Sequence, residues 1–295
     1  MLYLRKFQFA SADDEDGFVL SYPYQLEMQC YSHNNVYPFK ILPQKQLRIL
    51  ELEPITFLYG GNGSGKSTVL NIIAEKLGLA RSSPWNPTPF MEEYLKFCRY
   101  ELDSGVRTVP QESRFITSDD VFDFLLDLRS VNQSIDQKRT ELFAEYDCLR
   151  EDPMQPLRSI SDLEDLKRRN EAKSKTKSVY VSRRIPKELC GKSNGESAFA
   201  YFTQHIRENA LYLLDEPENS LSAELQKQLA NFIEESVRFY HCQFIISTHS
   251  PFLLAMRQAK IYDLDSCPVT AKPWTALENV RTYYDFFKAH FSEFD

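Results

Sequence analysis

The chain has 295 residues, a net charge of −7, 42% hydrophobic residues and 26% charged residues. This composition is close to the globular average and excludes collagen, wholesale disorder and a coiled-coil rod. The length fits one α/β domain that carries an inserted lobe. The six cysteines lack the CxxC spacing of a zinc ribbon, and no apolar run approaches the ~18 residues of a membrane span. We therefore expect a cytoplasmic protein with reduced thiols and no membrane insertion.

The first 60 residues are predicted to be rich in β structure. Aromatic and branched side chains at Tyr3–Phe9 and Phe18–Met28 predict two strands, and the polar, acidic segment 11–17 between them predicts a hairpin turn. Ile55–Tyr59 is a short apolar strand that leads directly into a cluster of glycines. Ser67–Leu79 follows with the apolar spacing of a helix.

A helical lobe is predicted in the middle of the chain. Between residues 119 and 150, seven of nine positions separated by alternating steps of four and three residues are apolar, which predicts a packed helical seam. A second helix is predicted to start at Ser161, because its spacing from Glu164 has the form of a capping box. We therefore predict a single domain over residues 1–295 with an inserted helical lobe over residues 119–192.

The last third of the chain alternates apolar strands with amphipathic helices. Strands are predicted at residues 210–214, 243–247 and 260–264, and helices at residues 222–239, 251–256 and 279–294. This alternation predicts a mixed, mainly parallel sheet that is covered by helices on both faces. The predicted fold class is therefore α/β.

The strongest chemical signal is a glycine-rich loop, which holds four of the nine glycines of the chain. It fits the pattern G-x-x-x-x-G-K-[ST] and consists of Gly60, Gly61, Asn62, Gly63, Ser64, Gly65, Lys66, Ser67 and Thr68. In such loops, backbone N–H groups and the N-terminus of the following helix surround phosphate oxygens. Lys66 is the candidate contact of the β- and γ-phosphates, and the Ser67 hydroxyl is a candidate Mg²⁺ ligand. A merely flexible loop is the alternative, which the Lys-Ser pair at the correct offset disfavours.

The second signal is an apolar strand that ends in two acids, Asp215 and Glu216. The carboxyl ends of parallel strands form the edge where ligands bind in α/β folds. Asp215 is therefore a predicted Mg²⁺ ligand, acting through water, and Glu216 is the predicted base that orients and deprotonates an attacking water. A surface turn also explains the two acids in isolation, but the phosphate loop disfavours it.

Two weaker segments complete the set of motifs. One consists of Ser193, Asn194, Gly195 and Glu196. It opens a predicted helix, and on the local sequence an ordinary helix cap explains it equally well. The other contains His249, which follows the apolar strand at residues 244–246. A lone histidine after a strand is usually structural, so neither segment carries a function by itself.

The order and spacing of the four segments resemble the ATP-binding-cassette (ABC) ATPase family over about residues 40–265. Residues 193–196 and 215–222 are similar to its non-transporter branch, which includes heads of the RecF, SMC and Rad50 type and many small bacterial ATPases labelled as AAA-family. The resemblance implies a homodimer that sandwiches ATP between the phosphate loop of one subunit and the Ser193–Glu196 signature of the other. It also implies that Ser193 and Gly195 contact the γ-phosphate in trans and that His249 holds the attacking water in line.

The chain departs from the family pattern at two points. Lys192 replaces the leucine that usually precedes the signature serine. The family's glutamine loop, which supplies a Mg²⁺ ligand, is not clear in this sequence: Gln111 is one candidate, whereas Ser118 has the better position and lacks the amide.

We expect Mg²⁺-dependent ATP hydrolysis, with three alternatives for what it drives. The first is a nucleic-acid-related or defence process that acts on DNA or an effector protein. Its candidate contact is the basic segment 150–192, which holds twelve Lys and Arg against seven Asp and Glu, although a solvated face explains that charge as well. The others are the nucleotide-binding subunit of a membrane transporter and a nucleotide-gated scaffold with negligible turnover.

Overall fold

The structure is a computed structural model that describes residues 1–21, 36–151, 162–185 and 193–294. The chain divides into two compact units, of which the first contains Met1–Phe122 and Asn194–Asp295 and the second contains Asp123–Ser193. The described strands are β1 (Leu4–Gln8), β2 (Ile49–Glu51), β3 (Ile55–Tyr59), β4 (Arg99–Leu102), β5 (Arg114–Ile116), β6 (Leu211–Asp215), β7 (Gln243–Ser247), β8 (Lys260–Asp263) and β9 (Thr270–Ala271). The described α-helices are α1 (Ala12–Ser21), α2 (Lys66–Leu77), α3 (Phe90–Phe97), α4 (Ser118–Glu151), α5 (Asp162–Ser174), α6 (Lys177–Ser182), α7 (Asn194–His205), α8 (Ala223–Phe239), α9 (Pro251–Leu254) and α10 (Glu278–Ala289).

A six-stranded sheet forms the centre of the first unit. Its strand order is β5-β6-β7-β3-β8-β9, and all neighbours are parallel except β8 and β9. Every residue of β3 and β7 is buried, as expected for strands that are covered on both faces. The predicted mainly parallel α/β fold is therefore confirmed.

The N-terminal region contradicts the predicted hairpin. β1 pairs with β2 and β4 in a separate antiparallel sheet, and the segment predicted as a turn and second strand begins helix α1 instead. The Ser11 hydroxyl accepts a hydrogen bond from the Asp14 N–H at 3.1 Å, and the Asp14 carboxylate accepts one from the Ser11 N–H at 3.0 Å. This reciprocal cap starts a helix, and the acids in its first turn interact favourably with the positive end of the helix dipole. Residues 22–28 of the predicted strand lie outside the described residues.

Helices α4 and α5 confirm the two helices predicted in the middle of the chain, whereas Ser161, the predicted cap of the second, lies outside the described residues. Thr117 caps α4, because its Oγ1 accepts a hydrogen bond from the Asp120 N–H at 3.3 Å and its own N–H donates to the Asp120 carboxylate at 2.7 Å. All nine seam positions between residues 121 and 149 are buried or partly buried. Within the second unit, the buried side chains form a small core: Leu142, Tyr146, Ala172, Tyr180 and Val181.

Two further expectations can be compared with the described residues. Among the described residues, Cys98, Cys148, Cys242 and Cys267 are free thiols. In the described ranges, no helix combines the length and the apolar character needed to cross a membrane.

Candidate functional site

The carboxyl ends of three neighbouring strands bring the predicted motifs to one edge of the sheet. The phosphate loop follows β3, Asp215 ends β6 and Ser247 ends β7. Ser247 of β7 pairs with Asp215 of β6 on one side and with Leu58 of β3 on the other. The strand acids and the phosphate loop therefore lie on either side of β7. In parallel α/β sheets this edge is where ligands bind, because the loops after the strands are not covered by the sheet.

The phosphate loop is folded so tightly that its first residue must be glycine. A Cβ atom on Gly60 would lie 2.6 Å from the Ser64 Oγ and 3.2 Å from the Asp265 Oδ1. The Gly61 N–H donates to the Asp265 Oδ2 at 2.7 Å, which fastens the loop to the segment after β8. The Ser64 Oγ is buried and makes no hydrogen bond with the described residues. A buried polar atom of this kind is a hydrogen-bonding group that a ligand in the loop can satisfy.

Lys66 places a buried ammonium group at the centre of the site. Its side chain is 4% exposed, and the Nζ donates to the carbonyl oxygens of Gly60 at 2.8 Å and Gly61 at 3.1 Å. The same atom lies 2.9 Å from the His249 Nε2 and 3.5 Å from the Glu216 Oε1. The loop, the strand acid Glu216 and His249 therefore all contact the Lys66 ammonium group, which an anionic ligand would also contact.

Glu216 is held in an uncommon backbone conformation. Its φ angle is +48°, in the left-handed region that non-glycine residues rarely adopt, and its N–H donates to the Ser247 carbonyl oxygen at 3.1 Å and Oγ at 3.0 Å. Burial raises the pKa of its carboxyl, but the hydrogen bond from Asn219 and the charges of Lys66 and His249 outweigh this and hold the pKa below its ordinary value. The carboxylate is therefore ionised at neutral pH, as a base requires.

Asp215 and Ser67 form the candidate metal site. Burial raises the pKa of Asp215, and hydrogen bonds from the Ser247 and Ser67 hydroxyls offset part of that rise. Within the described residues, no cluster of three His, Cys, Asp or Glu side chains could hold a metal by itself. One carboxylate beside one hydroxyl nevertheless fits Mg²⁺, which keeps several waters and takes its other ligands from substrate phosphates.

The segment that carries His249 is fixed from two directions. The Glu218 Oε1 accepts hydrogen bonds from the Thr248 Oγ1 at 2.7 Å and from the His249 N–H at 2.6 Å. The Asn279 side-chain amide donates to the His249 carbonyl oxygen at 3.4 Å. Burial raises the pKa of Glu218. The sequence analysis missed both Glu218 and Asn279 as positioning residues, because neither contact is local in the chain.

A groove of about 460 Å³ opens above the phosphate loop and is lined by residues 62–68 and Glu216. The sequence analysis missed four further lining residues: Lys40, Ile41, Gln44 and Lys45. They belong to no motif, and the fold brings them to the loop from a distant part of the chain. The two lysines add positive charge to a groove that already contains Lys66.

Residues 194–196 of the predicted signature segment are not among the residues that line this groove. Asn194, Gly195 and Glu196 form the first turn of α7, and Ser193 belongs to the second unit. A Cβ atom on Gly195 would lie 2.8 Å from the Leu225 Cδ1 and 3.3 Å from the Ser220 carbonyl oxygen, so glycine permits close packing there.

The two glutamine-loop candidates lie at opposite ends of β5. Gln111 precedes this strand, whereas Ser118 follows it and starts α4. Because β5 is parallel to β6, Ser118 lies at the edge that carries Asp215, and Gln111 lies at the other edge. The topology therefore favours Ser118 over Gln111 at this edge of the sheet, and the glutamine-loop role of either residue stays a prediction.

The loop, the strand acids and the histidine thus meet at one edge of the sheet, in the arrangement that the sequence motifs predict for an ATPase of the ABC type. Residues 183–255 match the family model described as "AAA domain, putative AbiEii toxin, Type IV TA system". No curated protein matches the chain in sequence.

Several solved structures are similar to the chain at low identity. One is the Smc head domain from Pyrococcus furiosus with an extended coiled coil, bound to the C-terminal domain of ScpA; it is 14% identical, with 98% of this chain and 100% of that chain covered and a TM-score of 0.41. The SMC head domain from Thermotoga maritima is 14% identical, with 76% and 92% covered and a TM-score of 0.36. A dimeric ATP-binding cassette in a post-hydrolysis state, bound to ADP and phosphate, is 16% identical, with 78% and 90% covered and a TM-score of 0.35. Because the identities and TM-scores are low, these likenesses carry no functional argument, and the motifs and the local geometry carry it.

Proposed function

We propose that this protein is a Mg²⁺-dependent ATPase of the ABC type that hydrolyses ATP to ADP and phosphate. The observation that carries this proposal is the meeting of Lys66, Glu216 and His249 within 3.5 Å of one another beside the phosphate loop. A cation, an ionised carboxylate and an imidazole are the groups that bind a terminal phosphate and position a water against it.

In this proposal the loop residues Gly60–Thr68 bind the triphosphate. Their backbone N–H groups and the N-terminus of α2 stabilise negative charge, and the orphaned Ser64 hydroxyl is a further donor. Lys66 exchanges its contacts with loop carbonyls for phosphate oxygens. Ser67 and Asp215 would hold Mg²⁺, which supplies charge neutralisation on the phosphates when bound.

Glu216 is proposed as the catalytic base. The hydrogen bonds of its N–H to Ser247 and of its Oε2 with Asn219, at 3.2 Å, hold the carboxylate at the mouth of the loop. Its lowered pKa keeps it ready to accept a hydrogen bond from water and then a proton. His249 is proposed to hold the γ-phosphate and that water in line. Glu218 positions His249, because its carboxylate accepts a hydrogen bond from the His249 backbone N–H.

We also propose that ATP joins two copies of this chain into a homodimer. Asn194, Gly195 and Glu196 do not line the groove of their own chain, which supports this, because a signature that acts in trans is not expected to line its own loop. In the dimer, Ser193–Glu196 of each copy would contact the ATP in the other's loop, and the N-terminus of α7 would add its positive end. The boundaries of the second compact unit, Asp123–Ser193, support a single domain over residues 1–295 with an inserted helical lobe over residues 119–192.

Hydrolysis is proposed to serve a nucleic-acid-related or defence process in the cytoplasm. The description of the matching family, which names a toxin–antitoxin system, supports this process. The whole second unit holds 15 Lys and Arg against 13 Asp and Glu, a smaller excess than in segment 150–192. Lys177 and Arg184 also form ion pairs within that unit, with Asp147 and Glu171. We therefore favour an effector protein over DNA as the partner, and salt-sensitive DNA binding would reverse that preference.

The substitution Glu216→Gln tests the hydrolysis proposal. It keeps the size and one acceptor oxygen of the side chain but removes the base, so we expect ATP to bind with unchanged affinity and the hydrolysis rate to fall by about 100-fold or more. Titration with ATP and a phosphate-release assay measure the two quantities. Glu224→Gln, an exposed change in the first turn of α8, is the matched control. An unchanged hydrolysis rate in the Glu216 variant would remove this residue from its role.

A further inference from the structure

A second pocket, of about 550 Å³, lies beside the histidine segment and differs in chemistry from the groove. Its walls are aromatic and come from α9, α10 and the turn before α10: Phe252, Trp274, Tyr283, Tyr284 and Phe287. We call these five residues the aromatic pocket. Glu218, which holds the His249 N–H, also lines it. The proposed ATPase mechanism uses none of the five aromatic side chains.

Glu218 contributes a carboxyl group with incomplete hydrogen bonding to the lining of this pocket. Its Oε1 accepts two hydrogen bonds, but its Oε2 is buried and accepts none from another described residue. A buried carboxylate oxygen without a donor is costly, and a donor brought by an occupant would remove that cost. The occupant is therefore expected to carry N–H groups, and a cation satisfies a carboxylate better than a neutral donor does.

The aromatic rings favour the same kind of occupant. The guanidinium of Arg281 already lies 5.1 Å from the centre of the Tyr284 ring, and the Lys227 Nζ lies 5.7 Å from the centre of the Phe252 ring. Both rings thus already attract cations of this chain, as the negative face of an aromatic ring does. The first unit, which carries the pocket, has a net charge of −9, from 20 Lys and Arg against 29 Asp and Glu, so it attracts basic partners at a distance as well.

The exposed aromatic surface extends beyond the pocket. Six aromatic side chains of α10 and the turn after it are 46–70% exposed: Tyr283, Tyr284, Phe286, Phe287, Phe291 and Phe294. A small cation would fill the pocket and leave Phe286, Phe291 and Phe294 in water. A contiguous apolar surface of this kind is typical of a protein–protein contact. The occupant is therefore a polypeptide rather than a small ammonium compound.

We propose that the aromatic pocket and the exposed face of α10 bind a partner protein that inserts an arginine or lysine side chain towards Glu218. The aliphatic part of that side chain would pack against the rings, and apolar residues next to it would cover the exposed phenylalanines. Arginine suits the pocket better than lysine, because its planar guanidinium stacks on rings and carries five donors.

Selection from a library of random 12-residue peptides displayed on phage tests this inference. The wild-type protein without nucleotide is the bait, and the variant Tyr284→Ala, Phe287→Ala is used for counter-selection. We expect the enriched peptides to contain Arg or Lys next to apolar residues. Synthetic peptides are then titrated in a Trp85→Phe background, in which Trp274 is the single tryptophan and reports binding by its fluorescence.

Each selected peptide is compared with a copy in which citrulline, neutral and of the same shape, replaces arginine. We expect the citrulline copy and the double variant each to weaken binding at least tenfold. Phe239→Ala, which removes an exposed ring at the end of α8, is the control and should leave binding unchanged. Both alanine variants change exposed side chains, so folding is not at stake. Peptides without a basic residue, equal binding of the citrulline copy, or no enrichment would each overturn the proposal.

A second copy of the chain is the remaining occupant, and sedimentation without nucleotide distinguishes it. A monomer that binds the selected peptides supports a different protein as partner. A dimer that the Tyr284→Ala, Phe287→Ala change dissociates would overturn that assignment. Neither measurement requires ATP hydrolysis, so failure here and failure of the proposed ATPase activity are separate results.

Discussion

The phosphate groove and the aromatic pocket are next to each other in the fold but are built in different ways. The groove is formed mainly by one continuous loop, Gly60–Thr68, whose backbone does much of the binding. The pocket collects large aromatic side chains from three separate parts of the chain. Glu216 lines the groove and Glu218, two residues later, lines the pocket. The pKa of Glu216 is lowered and that of Glu218 is raised, so environment, rather than residue type, decides the behaviour of each carboxyl.

Because the two sites are built differently, one of them can be recognised in the sequence and the other cannot. A loop that binds through its backbone needs glycines and a lysine at fixed spacing, so its chemistry leaves a contiguous pattern. A pocket made of side chains from distant segments leaves only separate aromatic residues, each of which also fits an ordinary core. The predictions below test whether the groove and the pocket are as different in function as they are in construction.

The largest effect is expected for Lys66→Ala. This change removes the buried ammonium at the centre of the groove, so we expect nucleotide affinity to fall by about 100-fold, as for the loss of charge-assisted hydrogen bonds to phosphate. Binding of a fluorescent ATP analogue measures it, with the exposed Lys227→Ala on α8 as the control. Peptide binding at the aromatic pocket should be unaffected. Nucleotide affinity equal to that of the wild type would contradict the groove as the ATP site.

Ser193→Arg tests whether the groove needs a second copy for its completion. Its bulk and charge at the proposed shared face should block dimer formation with ATP while leaving ATP binding to the single subunit intact. Sedimentation in a Glu216→Gln background, where ATP persists, measures the dimer. Ser182→Arg, at the exposed end of α6, adds the same side chain elsewhere in the second unit. A normal ATP-dependent dimer in the Ser193 variant would end the model in which the signature acts in trans.

Asp265 is expected to have a smaller effect on the groove. Its carboxylate accepts the Gly61 N–H at 2.7 Å and so fixes the start of the phosphate loop. Asp265→Ala removes this acceptor, and we expect ATP affinity to fall about fivefold, as for the loss of one hydrogen bond. Asp265→Asn keeps an acceptor oxygen and should bind ATP like the wild type. Equal affinities in the two variants would show that the hydrogen bond does not position the loop.

The smallest expected effect is a difference in titration between Glu216 and Glu218. Carbon NMR of the side-chain carboxyls should place the pKa of Glu216 below its ordinary value and that of Glu218 above it. Lys66→Met removes a cation 3.5 Å from the Glu216 carboxylate, so the pKa of Glu216 should rise while that of Glu218 stays the same. The reverse pattern would contradict the assigned environments.

The same shifts give opposite dependences of stability on pH. The lowered pKa of Glu216 means that its ionised form stabilises the fold above its unfolded-state pKa, and this contribution is lost as the pH falls through the folded-state value. The raised pKa of Glu218 means that the fold favours the neutral acid, so stability is lost as the pH rises from the unfolded-state towards the folded-state value. In urea unfolding, the stability of Glu218→Gln relative to that of the wild type should therefore be higher at pH 7 than at pH 4.

Helix α4 and helix α1 show how far sequence patterns reach within the fold. The regular seam between residues 121 and 149 predicts α4 correctly, because many turns repeat the same signal. In α1 the aromatic run from Phe18 onwards favours a strand, and the cap formed by Ser11 and Asp14 decides for a helix. A cap involves only four residues. In a prediction from the sequence, the longer apolar run therefore outweighs it, although the cap decides the structure.

The parallel sheet, the phosphate loop and the strand acids could be predicted from the sequence, because backbone geometry imposes fixed residue types at fixed spacing, whereas the role of the histidine came only from the family resemblance. Three features depend on the tertiary structure: the contacts of Lys66 with Glu216 and His249, the hydrogen bond that fixes the loop to Asp265, and the rings of α10 beside Glu218. These contacts join residues up to about 200 positions apart in the chain. Their geometry depends on how separate elements pack, which no local pattern encodes.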